Sequence, residues 1–213
     1  MDLFIKLLPN LVNGTKITLF VFSVTLIISY PLSFLLTFLQ SLKNKYLNFI
    51  LKIYIAVERG TPLLLQLMFV YFGLPYFNIT LDRMSAVIVA FVLNYTAYFI
   101  EINRGGIEAI DKGQFEACKV LGYSKIDTYK LIVIPQALKI TLPSVSNEVL
   151  SLVKDTSLVY ILGVTEVLKV GRTAVNYYAT AIPFIYVGII YLVITYVFAR
   201  LLKQLEKRLT YYD

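Results

Sequence analysis

The chain has 213 residues, of which 58% are hydrophobic and only 15% are charged. A soluble domain of this length carries about 25% charged residues, so the composition indicates an integral membrane protein, organised as one domain over residues 1–213. The net charge of +7 does not indicate nucleic-acid binding, because most Lys and Arg residues stand between or beside apolar runs, where they set membrane orientation.

Several classes of chemistry are disfavoured by missing residue types. The chain has no histidine and a single cysteine, Cys118, which excludes an internal disulfide and Cys–His or Ser–His catalysis and disfavours a metal site. Neither Gly105-Gly106 nor Gly171 is followed by the Lys-Ser/Thr of a phosphate-binding loop. We therefore expect a non-enzymatic chain with no cofactor of its own. The first apolar run is too long for a cleaved signal and is expected to remain as a membrane span.

Long apolar runs predict an all-α membrane fold with five spans, although the fourth contains Glu148, Lys154 and Asp155. The first run has 26 residues, more than the roughly 20 that cross a bilayer. The predicted spans are 17–42, 60–81, 84–104, 140–168 and 173–202, with a loop at 105–139 between the third and the fourth. Proline is expected to kink the first span at Pro31, to end the second near Pro75 and to mark the entry to the fifth at Pro183.

The distribution of basic residues predicts the orientation of these spans. One face collects 14 of the 20 Lys and Arg residues, including Lys43, the opposite face collects five, and Lys154 remains inside the fourth span. By the positive-inside rule the 14-charge face is cytoplasmic. The chain is thus expected to be a multi-pass protein of a prokaryotic cell membrane, with its N-terminus outside, its C-terminus in the cytoplasm and the loop 105–139 inside the cell.

The longest polar interruption, 116–143, has the pattern of two short helices that meet at a glycine. Residues 115–121 are compatible with a helix, and Gly122 can end it in the left-handed conformation. Ser124 is suited to begin the second helix, and Pro135 is expected to mark the turn towards the fourth span. This stretch therefore predicts a helix–glycine–helix surface presented to the cytosol.

Residues in and around this loop carry a family resemblance. Part of it resembles the EAA loop of ABC-transporter permeases, on Glu116, Ala117, Gly122, Ile134, Pro135, Leu142 and Pro143. Other motifs are similar to the polar amino-acid uptake permeases of the histidine, glutamine, arginine and cystine group: Arg59-Gly60-Thr61-Pro62 with Gln66, Tyr71-Phe72-Gly73-Leu74-Pro75, Glu101-Ile102-Asn103-Arg104-Gly105-Gly106-Ile107, and Asn147-Glu148 followed by Lys154-Asp155-Thr156-Ser157-Leu158. The resemblance covers essentially the whole chain. Gly105 departs from it, since the family often has alanine there, and is expected to loosen the helix end slightly.

The resemblance implies a type I ABC importer subunit that moves polar amino acids into the cytoplasm by alternating access. It implies a dimer with a second copy or a paralogue, and an extracytoplasmic amino-acid-binding protein. It also implies a cytoplasmic ATPase subunit that binds ATP and Mg²⁺ and receives the EAA residues named above as its coupling surface.

Ionisable residues inside a span are costly and need a pair, water or a substrate. Ser144, Glu148, Ser151 and Asp155 follow a helical spacing, as do Asn94, Tyr98, Glu101 and Gly105, so two polar stripes are expected to face each other or a shared cavity. We expect the substrate-binding candidates to be Thr61, Asn94, Glu148, Lys154 and Asp155. In this hypothesis Lys154 binds the carboxylate of an amino acid and Glu148 binds its ammonium group.

Structural roles remain open for the same residues. Lys154 and Asp155 could pair with each other or cap a break in the helix, and Glu101 with Arg104 is expected to form an ion pair. Arg59, Gly60 and Pro62 could belong to a gate, or to a helix start in which Thr61 is the cap and Pro62 lies in the first turn.

Two other classes of function compete with the importer. A secondary carrier would use Glu148 and Asp155 as proton or cation sites, but five spans without an internal repeat disfavour the symmetric carrier architectures. The loop at 105–139 has no role in a carrier. A membrane scaffold is the third possibility, and the costly charges of the fourth span argue against it.

Overall fold

The computed structural model describes residues 2–42 and 44–210, and this part of the chain is helical without strands. Met1, Lys43 and residues 211–213, which belong to the predicted domain, lie outside the described residues. The α-helices are α1 (Asp2–Ser41), α2 (Lys45–Gly60), α3 (Leu63–Met68), α4 (Arg83–Glu108), α5 (Lys112–Val120), α6 (Lys125–Asp127), α7 (Ile134–Asp155), α8 (Val167–Tyr178) and α9 (Ile182–Thr210). Two π-helical turns, Phe69–Gly73 and Thr128–Val133, and two 3₁₀ turns, Leu74–Phe77 and Thr156–Leu162, join them.

Three of the described helices, α1, α4 and α9, are long and apolar enough to cross a membrane. A fourth span results if α2 and the segment 63–77 count together, although they are bent by 106°. The predicted number of five is not reproduced by length and composition. The first span begins well before residue 17, because α1 has 40 residues and continues through Pro31. At 1.5 Å per residue it is about 60 Å long, roughly twice the thickness of the hydrocarbon layer.

The helices observed over the second predicted span differ from its bounds more than the helix over the third does. The run 60–81 is broken at its start, since Gly60 ends α2 and the chain turns before α3 begins at Leu63. It ends at Phe77, followed by Asn78 in the left-handed conformation, close to the stop predicted near Pro75. The run 84–104 corresponds to α4, which continues four residues further, to Glu108.

The predicted fourth span, 140–168, is not one helix. α7 begins earlier, at Ile134, and ends at Asp155, and the 3₁₀ turn that follows is terminated by Gly163 with φ of 78°. Residues 173–178 of the predicted fifth span belong to α8, and α9 begins at Ile182 with Pro183 in its first turn, as expected. The fifth span was predicted to begin too early, at residue 173, because the charge-free run did not show the end of α8. A left-handed residue, Ala179, ends α8 inside this uncharged stretch.

The core that positions the site lies between α4 and α7. It contains Phe91, Tyr95 and Phe99 from α4, and Leu152 and Val153 from α7, all of them almost fully buried. Large aromatic side chains contribute most of the apolar area in such a core. This packing holds the polar stripes of the two helices in a fixed relation.

Glu166 is a buried acidic residue inside the predicted fourth span, 140–168, that the sequence analysis did not single out. It caps α8, because its carboxylate accepts hydrogen bonds from the backbone amides of Leu168 and Lys169 at 2.6 Å. The Tyr191 hydroxyl of α9 donates to the same carboxylate at 2.9 Å. A Cβ atom on Gly14 of α1 would come within 3.0 Å of the Glu166 backbone. This carboxylate therefore ties α8 to α9 at a point where α1 also approaches closely.

Gly106 and Gly105 give a matched test of the α4–α7 packing. A Cβ on Gly106 would lie 2.2 Å from the Thr141 Cγ2 atom, whereas a Cβ on Gly105 meets no atom within 4 Å. We predict that Gly106→Ala lowers the free energy of unfolding by about 1–3 kcal/mol through overpacking. Gly105→Ala should raise it by about 0.5–1 kcal/mol, because alanine is favoured over glycine in a helix.

Thermal unfolding of the detergent-solubilised protein measures both changes. Equal midpoints for the two variants would contradict the close approach of α4 and α7 at Gly106.

Candidate functional site

A cavity of about 460 Å³ lies where the break between α2 and α3 meets α4 and α7. The polar and backbone-breaking residues that line it come from three separate segments: Thr61 and Pro62 from the break, Asn94 and Tyr98 from α4, and Glu148, Ser151 and Asp155 from α7. Most of the α7 stripe and the first half of the α4 stripe thus face a shared cavity, as their helical spacing predicts, whereas Ser144, Glu101 and Gly105 do not line it. Hydroxyl, amide and carboxylate groups converge there against apolar walls formed by Leu63, Leu64 and Leu158.

Side-chain amides hold the break that forms one wall of this cavity. The Gln66 amide donates to the Glu58 carbonyl (2.8 Å), the Thr61 carbonyl (3.2 Å) and the Thr61 hydroxyl (2.8 Å). The Asn94 amide donates to the same Glu58 carbonyl (3.0 Å) and to the Gln66 side-chain oxygen (2.9 Å). These bonds satisfy carbonyl groups that the end of α2 leaves without helical partners.

Thr61 does not cap α3 as the sequence suggested. The residue before the helix is Pro62, which makes no side-chain capping bond, and the Thr61 hydroxyl donates backwards to the Val57 carbonyl at 2.8 Å. The reason is that Thr61 directly follows Gly60, the last residue of α2, as its C-cap with extended backbone angles. Its side chain therefore serves the end of one helix rather than the start of the next.

The Asp155 carboxylate is oriented by a tyrosine of the core. The hydroxyl of Tyr95, which is 1% exposed, donates to Asp155 Oδ2 at 2.7 Å. Among the described residues no ion pair joins Asp155 to Lys154, whose side chain is exposed and does not line the cavity. A half-buried carboxylate thus has a fixed hydrogen-bond donor on one side and the cavity on the other.

The structure brings together four of the five residues that the sequence analysis named for substrate binding. Thr61, Asn94, Glu148 and Asp155 line one cavity, and Lys154 lies apart from it. The sequence analysis missed the hydrogen bond from Tyr95 to Asp155 and the hydrogen bonds of the Gln66 amide. Neither a tyrosine in an apolar helix nor a glutamine four residues after a proline has a distinctive spacing. Tyr95 lies about one helical turn before Tyr98 of the polar stripe on α4, and only this spacing could have indicated the role of Tyr95.

Arg59, Gly60 and the end of α4 form the edge of a second, larger cavity of about 810 Å³. The predicted ion pair of Glu101 and Arg104 is confirmed, with hydrogen bonds of 3.0 and 2.8 Å from the guanidinium to the two carboxylate oxygens. Arg59 also contacts Glu101, at 3.2 Å, and its guanidinium carbon lies 5.4 Å from the centre of the Tyr98 ring.

The polar loop after α4 has the predicted local structure. α5 is followed by Gly122 in the left-handed conformation, with φ of 75°, and the Ser124 side chain accepts a hydrogen bond from the Asp127 amide at the start of α6. Glu116 and Ala117 are exposed on α5. The tip also exposes Val120 and Leu121, which are 87% and 73% accessible. An apolar tip of this kind is a feature of interaction surfaces.

The remaining residues of the EAA resemblance lie on α7, away from this tip. Ile134, Pro135, Leu142 and Pro143 all belong to that helix, and Pro135 does not mark a turn. The helical segment from Lys125 to Asp155 is continuous through Pro135, because a π-helical turn, Thr128–Val133, precedes it. Proline lacks the amide hydrogen that a regular α-helix would use there, and the change in hydrogen-bond register accommodates it.

Comparison with known proteins identifies the family. Residues 29–211 match the family described as the binding-protein-dependent transport system inner membrane component. The chain belongs to this family of ABC-transporter permeases. This permease is 34% identical over 206 residues to the glutamine transport system permease protein of Escherichia coli (strain K12), covering 95% of this chain and 94% of that protein. It is 37% identical over 207 residues to the arginine transport system permease protein of Bacillus subtilis (strain 168), with 95% and 93% covered.

Solved structures agree with this assignment. The permease superimposes on a chain of an amino acid ABC transporter crystallised with histidines, with a TM-score of 0.88, 30% identity and 96% of each chain covered. A methionine ABC transporter in an inward-facing conformation shares the fold alone, with a TM-score of 0.70 and 15% identity over 95% of each chain. The resemblance that the sequence motifs indicated is therefore confirmed, and the relatives are permeases for amino acids.

The amide network at the break allows a stability test. We predict that Gln66→Ala lowers the free energy of unfolding by about 1–3 kcal/mol, because the Thr61 carbonyl loses its donor and the Asn94 amide loses an acceptor. Denaturant unfolding in detergent measures the loss. Gln114→Ala is the matched control, since Gln114 makes one long bond of 3.4 Å at an exposed position. An equal effect of both substitutions would contradict the role of Gln66.

Proposed function

We propose that this permease is the membrane-spanning subunit of an ABC importer that moves polar amino acids into the cytoplasm by alternating access. ATP hydrolysis takes place on a separate cytoplasmic subunit, which holds ATP and Mg²⁺, and the permease itself is not catalytic. The observation that carries the proposal is the 460 Å³ cavity, because it gathers two carboxylates, an amide and a hydroxyl at a broken helix in a chain of this family.

The chemistry of this cavity fits part of an amino acid. Glu148 and Asp155 are anionic groups that suit the substrate ammonium, and Asn94 and Thr61 supply neutral hydrogen-bonding groups. In the part of the chain that the structure describes, no Lys or Arg lines it. Two carboxylates without a lining cation favour a cationic or neutral polar amino acid over an acidic one. Ligand sites with apolar walls and a few convergent polar groups have this general form.

The α5–α6 tip is proposed as the docking surface for the ATPase. Glu116, Ala117 and Gly122 are exposed there, beside the apolar side chains of Val120 and Leu121. The side chains of Phe115, Tyr129 and Val133 pack behind the tip and connect it to the helical segment that leads to the cavity. Ile134, Pro135, Leu142 and Pro143 then act as parts of that segment.

The complete importer contains further subunits in this proposal. A second copy of the permease or a paralogue completes a dimer, and an amino-acid-binding protein delivers substrate from outside the cell. The basic residues orient the chain with its N-terminus outside and its C-terminus in the cytoplasm. The carrier alternative, with Glu148 and Asp155 as ion sites, is not favoured, because the chain's relatives are permeases of ABC transporters.

Glu148 provides the direct test of the cavity. We predict that Glu148→Gln weakens amino-acid binding at least tenfold, because a neutral amide replaces a charge-assisted partner of the substrate ammonium. Equilibrium binding of radiolabelled arginine, histidine and glutamine to the purified complex measures the change. Asn147→Ala is the control, since Asn147 is the exposed neighbour and does not line the cavity. Unchanged affinity in Glu148→Gln would contradict the assignment.

Gly122 provides the test of coupling. We predict that Gly122→Ala strains the left-handed turn at the tip by about 1–2 kcal/mol and lowers the amount of ATPase that co-purifies with the tagged permease. Gly188→Ala is the matched control, because Gly188 lies within α9, has no left-handed backbone and no atom within 4 Å of an added Cβ. Equal recovery of the ATPase with both variants would contradict the docking surface.

A further inference from the structure

The two cavities of this permease share a wall. Thr61 and Pro62 face the smaller cavity and Gly60 faces the larger one, so the two compartments lie on either side of the helix break. Arg59 stands at this wall: it lines the larger cavity, while the Tyr98 ring that it covers lines the smaller one. A molecule that moves between the compartments past the break meets the Arg59 guanidinium.

The charges of the two compartments differ in sign. The smaller cavity is lined by the carboxylates of Glu148 and Asp155. Among the described residues, the larger one is lined by three cations, Lys52, Arg59 and Arg104, and by two anions, Glu101 and Glu108, which leaves one positive charge in excess. An amino-acid zwitterion is therefore complemented at its ammonium end by the first compartment and at its carboxylate end by the second.

Of the two guanidinium groups in the larger cavity, that of Arg59 is the less committed to the protein. Arg104 makes two hydrogen bonds to Glu101 and a third to Glu108 at 2.7 Å. Arg59 makes one ion-pair contact to Glu101, and its side chain is 41% exposed. A guanidinium has five N–H donors in a planar arrangement that suits a carboxylate, so most of the donors of Arg59 are left for a ligand.

We propose that Arg59 binds the α-carboxylate of the transported amino acid, and that this carboxylate takes the place of Glu101 on the Arg59 guanidinium as the substrate passes from the smaller to the larger cavity. The proposal rests on the proposed function and names the cation that the smaller cavity lacks. It assigns Arg59 the carboxylate role that the sequence analysis gave to Lys154, which lies outside both cavities.

The exchange leaves no charge without a partner. Glu101 keeps its two hydrogen bonds to Arg104 when Arg59 turns away, so its carboxylate remains neutralised. Arg59 exchanges one carboxylate for another and gains a two-point contact in place of a single one. Removal of Arg59 should therefore affect ligands that carry a carboxylate and spare those that do not.

The test compares amino acids with their carboxamides. The complete purified complex is titrated with arginine, histidine and glutamine and with argininamide, histidinamide and glutaminamide. In the wild type we expect the acids to bind at least tenfold more tightly than the amides. In Arg59→Gln the acids should weaken about tenfold while the amides keep their affinity, which removes the preference. Lys154→Gln is the control and should retain it, because Lys154 lies outside both cavities.

Glu101→Gln supplies a second, opposite readout. Because the competing carboxylate is removed, the acids should bind several-fold more tightly to this variant than to the wild type. A purely structural ion pair predicts weaker binding for both Arg59→Gln and Glu101→Gln, for acids and amides alike, and that result would overturn the proposal. A preference for acids that survives in Arg59→Gln would overturn it as well.

The same titrations separate this proposal from the function on which it rests. If Glu148→Gln weakens both acids and amides but Arg59→Gln changes neither, the cavity stands and the role of Arg59 is refuted. If the wild-type complex binds none of the six probes, the proposed amino-acid cavity fails, and the assignment of Arg59 fails with it.

Discussion

The break between α2 and α3 leaves backbone carbonyl groups without helical partners, and the rest of this permease depends on how those groups are satisfied. Each unsatisfied group costs several kcal/mol in hydrocarbon, so irregular backbone occurs there only where protein or water supplies a donor. Here Gln66 and Asn94 donate to the same Glu58 carbonyl, and Gln66 also reaches Thr61. The bend of 106° between α2 and the segment after it is held by these bonds, and the cavity exists because of the bend.

α4 connects this break to every other part of the polar site. Within little more than one turn the helix carries Asn94 at the break, Tyr95 on Asp155 and Tyr98 under the Arg59 guanidinium. The next turns carry Glu101 in the ion pairs and Gly106 against α7. One helix therefore contributes side chains to both cavities and to the wall between them.

Local patterns in the sequence predicted the structural features that depend on residue spacing within a single helix or turn. The left-handed Gly122, the Ser124 cap and the meeting of the two polar stripes all follow from turn chemistry or helical period. The sequence did not predict what depends on contacts between elements. Lys154 was placed in the site because it is charged and adjacent to Asp155, yet adjacent residues on a helix point about 100° apart, and its side chain faces outwards.

The ends of helices were the second feature that the sequence did not predict correctly. They determine how the binding of a partner at the α5–α6 tip could affect the cavity. Pro135 was interpreted as a turn, but the helical segment runs unbroken from Lys125 to Asp155. At 1.5 Å per residue these 31 residues span about 45 Å, with the exposed tip at one end and the Asp155 carboxylate at the other. In the proposed docking, a displacement of the tip would therefore act on one element that the core packs against α4. The π-helical turn before Pro135 is the one place along it where the hydrogen-bond register changes, and hence where such a displacement would be absorbed as bending.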